Sequence, residues 1–506
     1  MSKYIMLQGT SSNVGKSIVT AALCRILKQD GYNVAPFKAQ NMALNSFVTK
    51  TGAEMGRAQV VQAEAAGIEP AVEMNPILLK PTGNATSQVI ILGKPVGTMG
   101  ASEYHKKYAQ EAFVYVEQAL DLLTKEYEIL AIEGAGSPAE INLKDNDIVN
   151  MKIAKHLQAP VLLITDIDRG GAIASLIGTM AILDEEERAL VKGFIINKFR
   201  GDISLLTPAL TYIEEKTGVP VLGVLNYIEQ LDIDDEDSVA LENKKENRDK
   251  DVQIAVIRLP KISNFTDFAA LEAEPDVSIN YVKTVSELGK PDLIIIPGSK
   301  NTIQDLLYLK ECGLEEQIIR LNKQGIPVIG ICGGYQMLGE KVKDPDHTES
   351  DIDELAGFSI LPLVTTFLSG KITRQVTASC ENNAFLQMNC TMQNLSGYEI
   401  HMGVTEYTKP IAKAFLLDRG DGIQIQDGAV RDDGAVMGTY LHGIFDNDML
   451  RRAIIDKLRE GKGLAMGIGT LSMKARKENA YNRLADSVRK QLNMQAIYEI
   501  MGLETK

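Results

Sequence analysis

The chain has 506 residues, 45% of them hydrophobic and 24% charged, and 67 acidic against 53 basic residues give a formal charge of −14. This is the composition of a globular protein of two large or three ordinary domains at roughly 150 residues each, and it excludes collagen-like, mucin-like and largely disordered chains. The acidic balance disfavours non-specific nucleic-acid binding, five cysteines are too few for a disulfide scaffold, and no apolar run reaches the roughly 20 residues that span a bilayer. The opening MSKYIMLQGT lacks the pattern of a secretory leader. The expectation is a cytosolic enzyme with no nucleic-acid or membrane partner.

In the first half, short β-rich runs alternate with stretches long enough for crossover helices. The runs are Tyr4–Gln8, Asn33–Phe37, Ile129–Glu133, Pro160–Thr165, Gly193–Asn197 and Pro220–Val224. Several are apolar without alternation, as strands buried on both faces should be, so an open parallel α/β sheet is expected. The first run leads into Gly9-Thr-Ser-Ser-Asn-Val-Gly15-Lys16-Ser17, a phosphate loop with one residue more than usual between its glycines. Backbone N–H groups and a helix N-terminus would face the phosphates. Thr10, Asn13, Gly15, Lys16 and Ser17 are the candidate ATP-binding residues, with Lys16 a point charge for the β/γ oxygens and Ser17 a Mg²⁺ ligand. Acidic residues at later strand ends fit the same site, since ligands of open α/β sheets bind beyond the carboxyl ends of strands. Glu133 in AIEGAG is the first candidate for the metal, Asp166 and then Asp168 in LLITDIDRGG the next, and Asn197 in IINKF a candidate for reading the purine.

A run dense in charge, Asp232–Asp251, reads as a solvated linker. A second α/β series follows: Val252–Arg258, Ile279–Val282, Leu293–Pro297, Val328–Cys332 and Val436–His442. About Asp344–Gly357 a surface loop is expected. From Arg451 onward, Leu484, Val488, Leu492, Ile497 and Met501 recur at helical spacing, which predicts two or three terminal helices. The expected division is 1–235, a linker 236–251, 252–450, and a helical tail 451–506.

Val328-Ile-Gly-Ile-Cys332-Gly-Gly-Tyr-Gln336 is an apolar strand running into a cysteine among glycines, the pattern of a nucleophile elbow. A free thiol near pKa ~8.5 is only a few per cent ionised at neutral pH and needs a base. His442, ending the strand GTYLHGIF, is the natural one. Glu399 and His401 alternate on one strand face and are candidates to line the same site. Cys24 reads as a packing residue, Cys312 falls at an expected helix end, Cys380 and Cys390 would make an improbable cytosolic disulfide, and no Cys/His spacing suggests zinc.

The loops GTSSNVGKS, AIEGAGSP and IINKF resemble the dethiobiotin synthetase-like amidoligases, in which ATP phosphorylates a carboxylate. Ser11 stands where the MinD-type ATPases carry a second lysine. The second half resembles the class I glutamine amidotransferases, whose G-x-C-x-G-x-Q motif stands here as Gly330-Ile-Cys332-Gly-Gly334-Tyr-Gln336. That resemblance implies that Cys332 attacks the glutamine amide with His442 as base. It also implies that Pro297-Gly298-Ser299-Lys300 is the oxyanion turn, so that Gly298, Ser299, Gly333 and Gln336 are the candidate glutamine-binding and oxyanion residues. The glutamate that family carries two positions after its histidine is replaced by Ile444, so a Cys–His dyad oriented by another group is expected.

Together the halves, with Pro36-Phe-Lys38-Ala-Gln40-Asn41-Met-Ala-Leu-Asn45-Ser46 and Asn75-Pro-Ile-Leu-Leu-Lys80-Pro-Thr-Gly, resemble the cobyric acid synthase family over nearly the whole chain. The resemblance implies ATP- and glutamine-dependent amidation of the b, d, e and g carboxylates of adenosylcobyrinic acid a,c-diamide, with ATP and Mg²⁺ as cofactors. Lys38 and Lys80 would neutralise phosphate or substrate carboxylates, and Gln40, Asn41 and Asn45 would bond the nucleotide or corrin edge. Two alternatives stand beside it: an amidoligase for another polycarboxylate, such as cobyrinic acid a,c-diamide synthase, and a P-loop switch protein whose second half is inert.

Overall fold

The structure, a computed structural model, describes residues 2–83, 85–228, 232–233, 249–380, 384–388, 391–420, 422–467, 469 and 471–504. The expected linker falls outside the described residues except for 249–251, and so does Cys390. The chain forms two compact units. One comprises Met1–Ala43, Glu54–Asp234 and Lys474–Lys506, the other Leu44–Ala53 and Asp235–Met473.

The first unit is built on a six-stranded parallel sheet. Its order is Val221–Asn226, Val191–Phe199, Val161–Asp166, Lys3–Gly9, Ile129–Glu133 and Val34–Phe37. Lys3–Gly9 is central, and the chain winds away from it first to one side and then to the other. The carboxyl end of that strand is therefore a topological switch point, where a ligand crevice opens. The helix Lys16–Gln29 starts there, with Gly15 at φ 101° as its N-cap. A small sheet of Gln40–Met42, Ile77–Pro81, Thr86–Ile91 and Lys94–Gly100 is added to this unit.

The terminal helices Met473–Gln491 and Met494–Met501 complete the same core. Leu484, Val488, Leu492, Ile497 and Met501 are buried with Ile5, Leu7 and Val19. Each such side chain contributes on the order of 2 kcal/mol, so these helices are an integral wall of the unit. The preceding helix, Asp448–Gly461, lies within the second unit.

The second unit has its own sheet, in the order Val277–Val282, Val252–Ile257, Leu293–Ile296, Val328–Ile331, Val436–Thr439 and Ala429–Val430. All pairs but the last are parallel. A long antiparallel hairpin, Leu363–Cys380 with Met392–Tyr407, stands beside it. The stretch expected as a surface loop is partly built in. Asp344 is fully buried and accepts N–H bonds from Thr348, Glu349 and Ser350, and Glu354–Ala356 pairs with Lys341–Lys343 as a strand. Among the described residues no helix is long and apolar enough to cross a membrane.

Candidate active site

The phosphate loop wraps the end of the central strand. Thr10 N–H donates to Ile164 O at 2.9 Å, and the Thr10 and Thr165 hydroxyls are 3.1 Å apart. Asn13 adopts φ 60°, and its carbonyl accepts from Lys198 Nζ at 2.6 Å. Lys16, 7% exposed, donates to the Ser11 and Gly136 carbonyls, each at 3.1 Å. Neutral carbonyls are weak partners for an ammonium, so phosphate oxygens can displace them at a gain.

Ser17, Glu133 and Lys38 form the polar centre below this loop. Ser17 Oγ donates to Glu133 Oε1 at 2.8 Å and Lys38 Nζ pairs with the same oxygen at 2.9 Å. Gln62 Nε2 holds the other oxygen at 2.6 Å. A hydroxyl bonded to a carboxylate is a hard-oxygen pair of the kind that suits Mg²⁺, which would take the place of the Lys38 ammonium at Glu133 Oε1. Ser17 and Glu133 are thus the pair that would hold the ion. Asp166 belongs to a different set: Lys198 Nζ is 2.8 Å from one oxygen, and the other accepts Asp168 N–H at 2.9 Å. Asn197 is committed too. Its amide donates to Val14 O at 2.7 Å, and a Cβ on Gly15 would stand 2.2 Å from that nitrogen, so Asn197 braces the loop.

Beyond Gly136 the first unit holds a cavity of about 690 Å³. Gln40 and Met42 line one side, Ala135–Pro138 the side next to Lys16, and Leu143 and Lys144 another. Gln40 accepts the Tyr104 hydroxyl at 2.5 Å. The other acceptor-binding expectations fall away from this cavity. Asn41 is 3% exposed and bonds Gln59, and Lys80 is 4% exposed with its ammonium 2.8 Å from the buried Glu54 carboxylate. Asn45 is fully buried in the second unit. These groups are spent on internal partners, because a buried charge or amide left unmatched is costly.

In the second unit, Cys332 follows the strand Val328–Ile331 with φ 51° and ψ −109°. A non-glycine residue held in this region marks a strained turn, as an elbow requires. Its N–H donates to Thr439 O at 2.8 Å. The turn closes only because Gly334 carries no Cβ, which would stand 2.0 Å from Ile296 O. The thiol lies 3.6 Å from Ile400 O. The positions of Gly333 and Ser299 converge, since a Cβ on Gly333 would stand 2.9 Å from Ser299 N. Gly298 abuts the base: a Cβ there would stand 3.3 Å from His442 Cε1.

The Ser299 hydroxyl turns away, donating to Asp305 at 2.6 Å. Burial pushes the Asp305 carboxyl up to about 7, against the lowering bonds from Ser299 and Lys261. Gln336 is 2% exposed, accepts from Thr302 Oγ1 at 3.1 Å and donates to Tyr440 OH at 3.2 Å. It ties the elbow helix to its neighbours.

His442 is fully buried, and its Nδ1 stands 2.7 Å from Asp267 Oδ2. The other oxygen of Asp267 accepts Gly443 N–H at 3.0 Å. His442 Nε2 has no hydrogen-bond partner. Burial pulls the imidazole's pKa down, but Asp267 and then Cys332 outweigh it and raise it to about 10. Tyr398 stacks on the ring at 5.2 Å and 14°. Asp267 is the orienting group that sequence reasoning left unnamed. No local pattern marks it, since Asp267 lies ten residues past the strand Val252–Ile257, whereas Glu133 ends its own strand. Glu399 and His401 share a strand face beside Ile400. Glu399 pairs with Arg419 at 2.7 Å, and His401 stacks on Tyr440 at 3.8 Å.

Residues 5–241 match the family model described as the CobQ/CobB/MinD/ParA nucleotide binding domain. Residues 253–450 match the CobB/CobQ-like glutamine amidotransferase domain. The chain is 53% identical to a cobyric acid synthase of Desulfitobacterium hafniense, over 99% of this chain and 98% of the relative. It is 54% identical to one of Pelotomaculum thermopropionicum, over 99% and 97%, and 51% identical to one of Streptococcus sanguinis, over 100% of both chains. The chain therefore belongs to the cobyric acid synthase family, with a nucleotide-binding unit followed by a glutamine amidotransferase unit.

Proposed function

We infer that this chain amidates the b, d, e and g side-chain carboxylates of adenosylcobyrinic acid a,c-diamide with ATP and glutamine, giving adenosylcobyric acid. The observation that carries the chemistry is the pairing, on one chain, of a phosphate loop whose Lys16 bonds Gly136, on the wall of a 690 Å³ cavity, with a cysteine elbow backed by His442 and Asp267. The name shared by the curated relatives supports the acceptor. An intact Cys–His–Asp set argues against an inert second unit.

A carboxylate cannot expel oxide, so it must first be activated. In this reading the acceptor's edge enters the cavity beside Gly136 and a carboxylate oxygen attacks the γ-phosphorus of ATP. ADP leaves and an acyl phosphate forms. Lys16 and the loop N–H groups hold the charge that develops on the transferred group. Ser17 and Glu133 would hold Mg²⁺, which would supply further neutralisation of the phosphate charge.

In the second unit the Cys332 thiolate attacks the δ-carbon of glutamine. The N–H groups of Gly333 and Ser299 receive the oxyanion. His442 gives its proton to the departing ammonia, then takes one from the water that hydrolyses the thioester to glutamate. Asp267 fixes the tautomer and stabilises the imidazolium. Ammonia then attacks the acyl phosphate, the amide forms and phosphate leaves.

Acceptor labelled with heavy oxygen in its free carboxylates tests this reading. With MgATP and glutamine, inorganic phosphate should carry one labelled oxygen per amide formed. Amides formed with unlabelled phosphate would rule out the acyl phosphate, and no amide at all would remove the corrinoid acceptor.

A further inference from the structure

The second unit includes ten residues from the first half of the chain, Leu44–Ala53, flanked on both sides by sequence of the nucleotide-binding unit. The sequence motif around Asn45 suggested a ligand contact, yet Asn45 and Ser46 are both fully buried. They meet the turn that carries Asp267. Phe265 N–H donates to Asn45 Oδ1 at 3.1 Å, and Ser46 N–H donates to Asn264 Oδ1 at 3.1 Å. This reciprocal exchange holds Asn264 at φ 52°, a left-handed conformation that a non-glycine residue keeps only when its surroundings enforce it. Asp267 follows three positions later.

The next residue of the segment reaches the other support of His442. The Phe47 ring lies 5.7 Å from that of Tyr398, and Tyr398 is the ring stacked on the imidazole. Val48 is fully buried with Tyr398 and Ile400, whose carbonyl faces the Cys332 thiol. Farther along, Gln375 Nε2 donates to Val48 O and Thr373 Oγ1 to Gly52 O, each at 2.8 Å, which pins the segment to the long hairpin. His442 thus has two supports, Asp267 at Nδ1 and Tyr398 against its face, and both rest on Asn45–Phe47.

We propose that Leu44–Ala53 is a positioning element of the glutaminase, acting through Asn45 and Ser46 on the Asp267 turn and through Phe47 on Tyr398. The proposal rests on the glutaminase reading above. In this role Asn45, Ser46 and Phe47 act on His442 through other residues, by the bonds to Phe265 and Asn264 and the ring contact with Tyr398. They fix the angle at which His442 meets substrate and thiol, and small misplacements of a catalytic group are expensive in rate.

The test uses the full chain. Asn45→Ala should lower kcat for glutamine hydrolysis by about 10- to 100-fold, with KM for glutamine within about twofold, because the glutamine contacts are untouched. Amidation driven by added ammonia should stay near the parent rate, a readout that general unfolding would not spare. Phe47→Ala should behave like Asn45→Ala, while Phe47→Leu, which keeps apolar bulk against Tyr398, should recover most of the rate. Unchanged hydrolysis in Asn45→Ala, or an equal fall with both nitrogen sources, would overturn the positioning role. A parent chain that does not hydrolyse glutamine would instead overturn the glutaminase reading, and the positioning role with it.

Discussion

Cys332→Ala is expected to abolish glutamine-dependent amidation while leaving ammonia-dependent amidation close to the parent rate. In the proposed mechanism the thiol forms the covalent bond to glutamine, so its loss should cost on the order of 10⁴-fold or more in glutamine hydrolysis, the scale seen when a nucleophile is removed from a catalytic triad. His442, fully buried and held at Nδ1 by Asp267, does not replace the nucleophile. The fold should tolerate the change. Cys332 is 7% exposed, and its backbone bond to Thr439 does not involve the side chain. Product formed from ammonium salts at saturating MgATP is the readout. If ammonia fails to restore product, nitrogen release and nitrogen capture are not separable steps.

Lys16→Ala should stop amidation with either nitrogen source. The lysine stands at the head of its helix, and its ammonium donates to the Ser11 and Gly136 carbonyls. It is thus ready to exchange them for phosphate oxygens. Removing one charged donor from a transferring phosphoryl group should cost on the order of a thousandfold. Glutamine hydrolysis by the same variant should persist, since its residues belong to the other unit. Rates of product and of glutamate release, measured side by side, separate the two effects. Undiminished product would refute an acyl-phosphate route at Gly9–Ser17.

Both sites announce themselves in sequence because each is local. Strand, glycine loop and helix lie within about twenty residues in the phosphate loop, and the elbow packs its signal into Val328–Gln336. What spans the chain was not legible. Asp267 lies 175 positions before His442. The position where the related amidotransferases carry their third member holds Ile444, which is fully buried.

The motif around Asn45 was visible as a resemblance, but no pattern in it shows that the chain changes units at Leu44. Likewise, nothing in Lys80 reveals its buried partner Glu54, because ion pairing across 26 positions leaves no periodicity. Of the hairpin Leu363–Cys380 with Met392–Tyr407, only the strand face of Glu399 and His401 shows in the sequence, for a different reason. Its polar runs, such as Lys371-Ile-Thr-Arg374, resemble solvated loop until they are paired. The terminal helices were legible as helices, and only packing shows that they build the first unit.

The most direct test of the account is the mass of the corrinoid after incubation of the protein with MgATP, glutamine and adenosylcobyrinic acid a,c-diamide. The corrinoid should convert stepwise, through partly amidated species, to the product with all four remaining carboxylates amidated. An unchanged corrinoid, with glutamine hydrolysis and ATP hydrolysis still measurable, would contradict it.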